Sequence, residues 1–127
     1  MMRVAVFSLA ITGVLLCATP AQSHHSNVAY EVTKVVTIKG EVKEFRWVNP
    51  HTWLHLIVEE NGTKVEWQVE GRAPGVLLRA GWTKTSLKPG ETVTVDMSPA
   101  KDGSKVGIIA RVTKEDGTIL SNQPVLQ

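Results

Sequence analysis

Histidine is the residue type in this 127-residue sequence that most clearly could do chemistry. Its imidazole nitrogens bind copper, nickel and zinc. The sequence has four histidines, and all of them fall in its first half: His24, His25, His51 and His55. The one cysteine, Cys17, lies in a segment that we expect to be removed, so thiolate ligands are excluded. The clustering predicts a metal site built from histidine.

The spacing of the histidines limits which of them could share one ion. On a regular strand, residues 51 and 55 point to the same side but lie about 13 Å apart. One ion would therefore bind either His51 or His55, together with His24 or His25. A purely structural alternative stays open, in which the N-terminal pair is exposed, His51 caps a turn and His55 faces solvent.

The N-terminal segment predicts export. Arg3 precedes an uncharged run over residues 4–18, and small residues follow as far as Ser23. This order is typical of a cleavable signal peptide. The apolar run is shorter than the roughly 20 residues that a membrane-spanning helix needs. We therefore expect cleavage after Ser23, a periplasmic or secreted product that begins at His24, and no permanent membrane anchor.

The cleavage position determines the kind of metal site that the N-terminus offers. A free α-amine on His24 could chelate copper together with its own imidazole, which resembles the histidine brace of copper proteins. Cleavage after Ala21 would instead leave His24 third, which resembles the amino-terminal copper and nickel motif. Square-planar nitrogen sites suit Cu(II) or Ni(II). Copper is the cofactor that this pattern favours.

We expect the candidate residues to lie on or beside short strands. From residue 35 onward, runs rich in Val, Ile, Thr and Trp alternate with turn residues, as in antiparallel β domains. We predict strands over 35–48, 52–59, 64–70, 91–98, 105–113 and 118–120, with one helix over 72–80. Three strands, a helix and two strands follow the order of the OB-fold, a five-stranded Greek-key barrel. We therefore divide the chain into a signal peptide (1–23), a leader (24–34), an OB-fold-like barrel (35–120) and a tail (121–127).

Local patterns refine this barrel. The apolar residues of the first strand change phase, which predicts a bulge near Lys43-Glu44. Asn61-Gly62 predicts a two-residue hairpin, and we prefer the turn to the overlapping glycosylation motif. The acidic side chains Glu59, Glu60, Glu66 and Glu70 are typical of a solvated face. Alternation places these residues inside: Val65, Trp67, Val69, Val93, Val95, Met97, Ile108, Ala110 and Val112.

Trp53 suggests a second kind of site. It shares a face with His51 and His55, and that face is opposite the apolar residues of the same strand. OB-folds bind ligands on the outer face of strands two and three and on the loop before strand two. Trp53 and Asn49 are therefore candidate ligand contacts for a peptide, a saccharide or an envelope protein. The leader could instead cover Trp53 and bury it.

Composition argues against several other functions. The formal net charge is only +2, so we expect no binding to nucleic acid. Neither a Gly-x-Ser-x-Gly element nor a phosphate-binding glycine loop is present, and we do not predict an enzyme.

Several motifs together resemble a family of small exported bacterial proteins, the domain-of-unknown-function family sixty-one fifty-two. The most specific are the His24-His25-Ser26 start and the Trp-x-Asn-Pro-His element at 47–51. The resemblance implies a bacterial periplasmic or secreted location and brings no established activity. In that family the histidine pair directly follows the signal, which favours cleavage after Ser23, although alanine is usual where Ser23 stands. The other matching segments are Tyr30-Glu31, Lys39-Gly40-Glu41-Val42, Gly81-Trp82 and Ser86-Leu87-Lys88-Pro89-Gly90.

Overall fold

A computed structural model describes residues 29–123 of the chain. The predicted signal peptide, His24 and His25 lie outside the described residues, as do the last four residues of the tail. Within residues 29–123, no helix is long and apolar enough to cross a membrane.

Within the described residues, six strands and one helix form the domain. β1 pairs with both β2 and β4, and β4 pairs with β5, all in antiparallel fashion. β3 pairs with β2 on one side and runs parallel to β5 over residues 68–70 on the other, which closes the barrel. The predicted OB-fold-like barrel is confirmed, with a short sixth strand added to β5. The elements are β1 (Val36–Arg46), β2 (Trp53–Glu60), β3 (Thr63–Glu70), α1 (Pro74–Arg79), β4 (Thr92–Pro99), β5 (Val106–Lys114) and β6 (Ile119–Ser121).

The core fills the barrel with aliphatic side chains from alternate strand positions. On β2, Leu54, Leu56 and Val58 are buried, which places Trp53 and His55 on the outer face, as the alternation predicts. Trp82, just after α1, is 1% exposed and donates its Nε1–H to the carbonyl of Ser121 at 2.6 Å. This contact ties the segment after the helix to β6.

β1 contains the predicted bulge. Val42 pairs with Leu56 and Glu44 pairs with His55, so Lys43 is an extra residue without a partner on β2. The bulge reverses the alternation, because Val42 is buried before it and Phe45 packs against the core after it. It also leaves Lys43 on the outer face beside β3.

A second bulge, in β5, contradicts part of the predicted core. Asp96 pairs with Arg111 and Met97 pairs with Ile109, so Ala110 is the extra residue. Ile109 is 2% exposed and belongs to the core, whereas Ala110 is exposed and Ile108 is only partly buried. The prediction that Ile108 and Ala110 point inward is therefore wrong. The other predicted core positions are buried, or, for Val65, packed against the core.

The β2–β3 hairpin turns at Asn61-Gly62, as predicted. Both residues have positive φ angles, 51° and 79°, which is the backbone that a type I′ turn requires. The turn sets the register in which Trp53 lies opposite Glu70 and Ile57 lies opposite Glu66.

Candidate functional site on the outer face of β2 and β3

Two histidine–glutamate pairs lie on the outer face of the β2–β3 hairpin. His51 Nδ1 contacts Glu70 Oε1, and His55 Nδ1 is 2.9 Å from Glu66 Oε1. The two pairs repeat the same geometry. His55 lies opposite Gln68 and contacts Glu66, two residues before it, while His51 stands two residues before Trp53, which lies opposite Glu70. The hairpin turn therefore creates both pairs at once.

Glu70 also holds a residue of the leader. The hydroxyl of Tyr30 donates to Glu70 Oε2 at 3.0 Å, so one carboxylate links Tyr30 and His51. We call these three residues the Tyr30–Glu70–His51 cluster. Burial, together with the hydrogen bond to Glu70 and its negative charge, raises the pKa of the Tyr30 phenol, which keeps this hydroxyl a donor.

Backbone hydrogen bonds fix the leader around Tyr30. Glu31 N–H donates to the carbonyl of Pro99 at 2.9 Å, and Lys101 N–H donates to the carbonyl of Ala29 at 2.8 Å. The start of the described chain is thus attached to the end of β4 and to the cluster. The leader therefore has a fixed point close to His51.

The second pair is enclosed in a different network. Glu66 accepts a hydrogen bond from Lys43 Nζ at 2.6 Å with the oxygen that His55 does not use. Lys43, and after it His55, lower the pKa of the Glu66 carboxyl. The side chain of His55 is 14% exposed, whereas that of His51 is 51% exposed. Of the two histidines, His51 is the one that an incoming ligand can reach.

Of the predicted site residues, the structure places His51, Trp53 and His55 on one face without joining them into one site. His51 and His55 are held by different glutamates. Trp53 lies between them, half-buried, and Asn49 is exposed on the loop before β2. Among residues 29–123 no group of three or more His, Cys, Asp and Glu side chains could hold a metal ion. His24 and His25 lie outside the described residues.

Sequence reasoning missed Tyr30, Glu66 and Glu70 as parts of the site. The expectation that the acidic residues form a solvated face is wrong for Glu70, whose side chain is 15% exposed. It is also incomplete for Glu60, which accepts from Trp67 Nε1 and Lys105 Nζ, both at 2.8 Å. The Asn61-Gly62 turn carries the signal that could have found the pairs, because it fixes which glutamate lies diagonal to each histidine.

A pocket of about 350 Å³ adjoins the cluster. It lies between the loop before β2, the end of β3, the start of α1 and the residue after β6. Its wall combines charged, amide and apolar groups, among them His51, Glu70, Arg72, Val76, Ile108 and Asn122.

Comparison with known proteins adds one finding. A family model described as "Family of unknown function (DUF6152)" matches residues 12–111, a span that contains the leader, both histidine–glutamate pairs and most of the barrel. No curated protein matches the chain.

Proposed function

This chain belongs to the family of unknown function DUF6152, and we propose that it is a small exported protein of the bacterial periplasm that binds Cu(II). In this proposal the ligands are the histidines of the processed N-terminus together with His51. The Tyr30–Glu70–His51 cluster carries the proposal, because it attaches the leader next to the accessible histidine.

Chain length is compatible with this arrangement. His24 is six residues from Tyr30, and six residues span at most about 20 Å when fully extended. Tyr30 contacts Glu70, which in turn contacts His51. The fixed point at Tyr30 therefore keeps His24 and His25 within reach of His51.

The contact with Glu70 suits His51 to metal binding. Histidines that bind metals generally donate their other ring N–H to a carboxylate or carbonyl, which fixes the tautomer and the ring orientation. Because Nδ1 of His51 faces Glu70, Nε2 is the nitrogen left for a metal. His55 also has a carboxylate partner, Glu66, but the side chain of His55 is more buried. Lys43 bonds to the same carboxylate, so a positive charge lies close to His55. We therefore assign His51, not His55, to the site.

Processing after Ser23 supplies the remaining ligands. It would give His24 a free α-amine, so that this residue offers two nitrogen atoms, and His25 offers a third. With Nε2 of His51 these form an all-nitrogen set, which suits Cu(II). Glu70 orients His51 and does not need to bind the metal itself.

Calorimetric titration with Cu(II) tests the proposal. The protein should begin at His24, verified by intact mass, and should bind one ion with a dissociation constant below about 1 μM. We expect His24→Ala and His51→Ala each to weaken binding by about tenfold or more. His55→Ala is the matched control and should bind Cu(II) like the wild type.

A dissociation constant above the micromolar range would contradict the proposal, as would equal losses in the His51 and His55 variants. The alternative is then a metal-free interaction module that binds a peptide, a saccharide or an envelope protein. Its support is the half-buried position of Trp53 on the outer face of β2. Trp53→Ala separates the two functions, since it should leave Cu(II) binding intact and abolish capture of such a partner.

A further inference from the structure

Asn122 is a buried amide in the wall of the pocket beside the Tyr30–Glu70–His51 cluster. It is 5% exposed, and its Oδ1 accepts a hydrogen bond from the backbone N–H of Arg72 at 3.1 Å. A backbone nitrogen can only donate, so this bond fixes which side-chain atom is the oxygen. The other atom, Nδ2, makes no hydrogen bond to any residue of the described chain. Because Asn122 also lines the pocket, these donors are open to a molecule bound there.

Arg72 supplies a positive charge at the same pocket. Its backbone is fixed, because its carbonyl accepts from Thr52 N–H at 3.2 Å and from Thr52 Oγ1 at 2.9 Å. Its side chain is exposed, and within residues 29–123 its guanidinium has no ion-pair or hydrogen-bond partner. A guanidinium attached to a rigid base beside a pocket is well placed to bind an anion.

The remaining walls define the rest of the ligand. Val76 of α1 and Ile108 of β5 provide apolar surface. Among residues 29–123, the acidic residue that lines the pocket is Glu70, whose two oxygens already contact His51 and Tyr30. The pocket therefore combines hydrogen-bond donors and a cation on one side with a small apolar surface on the other.

We propose that this pocket binds a carboxylate that carries a small apolar group, either a free short-chain acid or the C-terminal residue of a peptide. Arg72 would bind the two carboxylate oxygens through its planar fork, and Asn122 Nδ2 would donate to one of them. Phosphate fits less well, because its second negative charge would lie near Glu70 and the apolar wall would gain no partner. The site needs no metal, although His51 and Glu70 line this pocket and also belong to the proposed copper site.

Titration of the ¹⁵N-labelled, metal-free protein, beginning at His24, tests this proposal by NMR. The probes are isovalerate and the peptide N-acetyl-Ala-Ala-Val with a free carboxylate, each compared with its own carboxamide. Both acids should shift the Asn122 side-chain amide and the Arg72 and Val76 signals, and the carboxamides should bind at least about tenfold more weakly. Tighter binding of isovalerate identifies a free acid as the ligand, and tighter binding of the peptide identifies a C-terminus.

Two variants and a control complete the test. Arg72→Ala removes an exposed side chain, and Asn122→Asp keeps the acceptor for Arg72 N–H but replaces the donors with a negative oxygen. Both should weaken carboxylate binding by about tenfold or more, while Arg79→Ala, an exposed arginine of α1 outside the pocket, should not. If Asn122→Asp does not fold, carboxylate binding by Arg72→Ala alone tests the proposal.

Three results would overturn the proposal: unchanged binding in Arg72→Ala, carboxamides that bind as well as the acids, or inorganic phosphate that binds as tightly as isovalerate. Cu(II) binding distinguishes this proposal from the proposed function, because Arg72→Ala removes a positive charge from the pocket that His51 lines and should not weaken Cu(II) binding.

Discussion

Glu70 connects residues that are far apart in the sequence, because its two oxygens serve Tyr30 and His51. We predict that Tyr30→Phe releases the leader while the barrel stays folded. A hydrogen bond to a charged group contributes about 1.5–3 kcal/mol, so the local opening of the leader should become at least about tenfold more frequent. Native-state hydrogen exchange at Glu31 and Lys101, whose N–H groups bond to Pro99 and Ala29, measures this opening.

Amides of the core strands provide the internal control for this experiment. The N–H groups of Val95 and Leu56 lie in buried strands and should exchange at the same rate in the wild type and in Tyr30→Phe. If Glu31 and Lys101 kept their protection in the variant, the phenol would not be what holds the leader.

Single residues show where prediction from the sequence succeeds and where it stops. Alternation along β2 predicts the common face of Trp53 and His55 correctly, because Leu54 and Leu56, which alternate with them, are buried in the core. The glutamate partners depend on pairing between strands, which alternation within one strand does not describe. Tyr30 is harder still, because its contact with Glu70 spans 40 residues and no local pattern indicates it.

At the scale of elements, β1 is constrained by having neighbours on both sides. A Cβ atom on Gly40 would lie 2.6 Å from the carbonyl oxygen of Ile57 and 2.9 Å from Val58 Cγ2. The carbonyl belongs to a paired strand and cannot move without disturbing the sheet. We expect Gly40→Ala to lower the free energy of unfolding by about 1–3 kcal/mol, measured by urea denaturation.

Gly75 provides the matched control, because it is also a glycine inside a regular element. A Cβ there would meet no heavy atom within 4 Å, and alanine favours a helix over glycine. Gly75→Ala should therefore leave the stability unchanged or raise it by up to about 1 kcal/mol. Equal stability of the Gly40→Ala variant and the wild type would show that the strands adjust to the added methyl group.

The two bulges explain which parts of the elements are predictable. The bulge in β1 is visible in the sequence, because large apolar side chains before and after Lys43 fall on opposite phases. In β5 the residues from Val106 to Ala110 are all nonpolar, so no polar side chain indicates which of them face outward. The bulge at Ala110 therefore leaves no signal, and the choice between Ile108 and Ile109 is made by packing against β4.

At the scale of the whole molecule, the order of the barrel is predictable because turn residues separate every pair of elements. Closure of the barrel depends on three paired positions between β3 and β5. These positions are held in part by contacts of charged side chains nearby. Lys105, just before β5, bonds to Glu60 and lies 5.0 Å from the centre of the Trp67 ring. Such contacts follow from the closed barrel and could not be derived before its register was known.

Ion pairs between strands make the stability of the barrel dependent on pH. Asp96 of β4 accepts from Thr37 of β1 at 2.6 Å and from Arg111 of β5 at 2.9 Å, and these contacts lower its pKa from 3.8. Contacts with Lys105 and Lys43 likewise lower the pKa values of Glu60 and Glu66 from 4.5.

A carboxyl group whose pKa is lower in the folded state stabilises the fold when it is ionised. This contribution is complete above the pKa of the unfolded chain and disappears as the pH falls through the folded value. We therefore expect the free energy of unfolding to fall as the pH drops below 4.5 and then below 3.8, the ordinary pKa values of Glu and Asp.

Asp96→Asn should be less stable than the wild type at pH 7, and the difference in the free energy of unfolding should shrink in acid. Urea denaturation across this range measures both effects, with Glu41→Gln as a control because its exposed side chain makes no ion pair or hydrogen bond within residues 29–123. A constant difference between Asp96→Asn and the wild type at every pH would mean that the contacts of Asp96 act through packing and not through its charge.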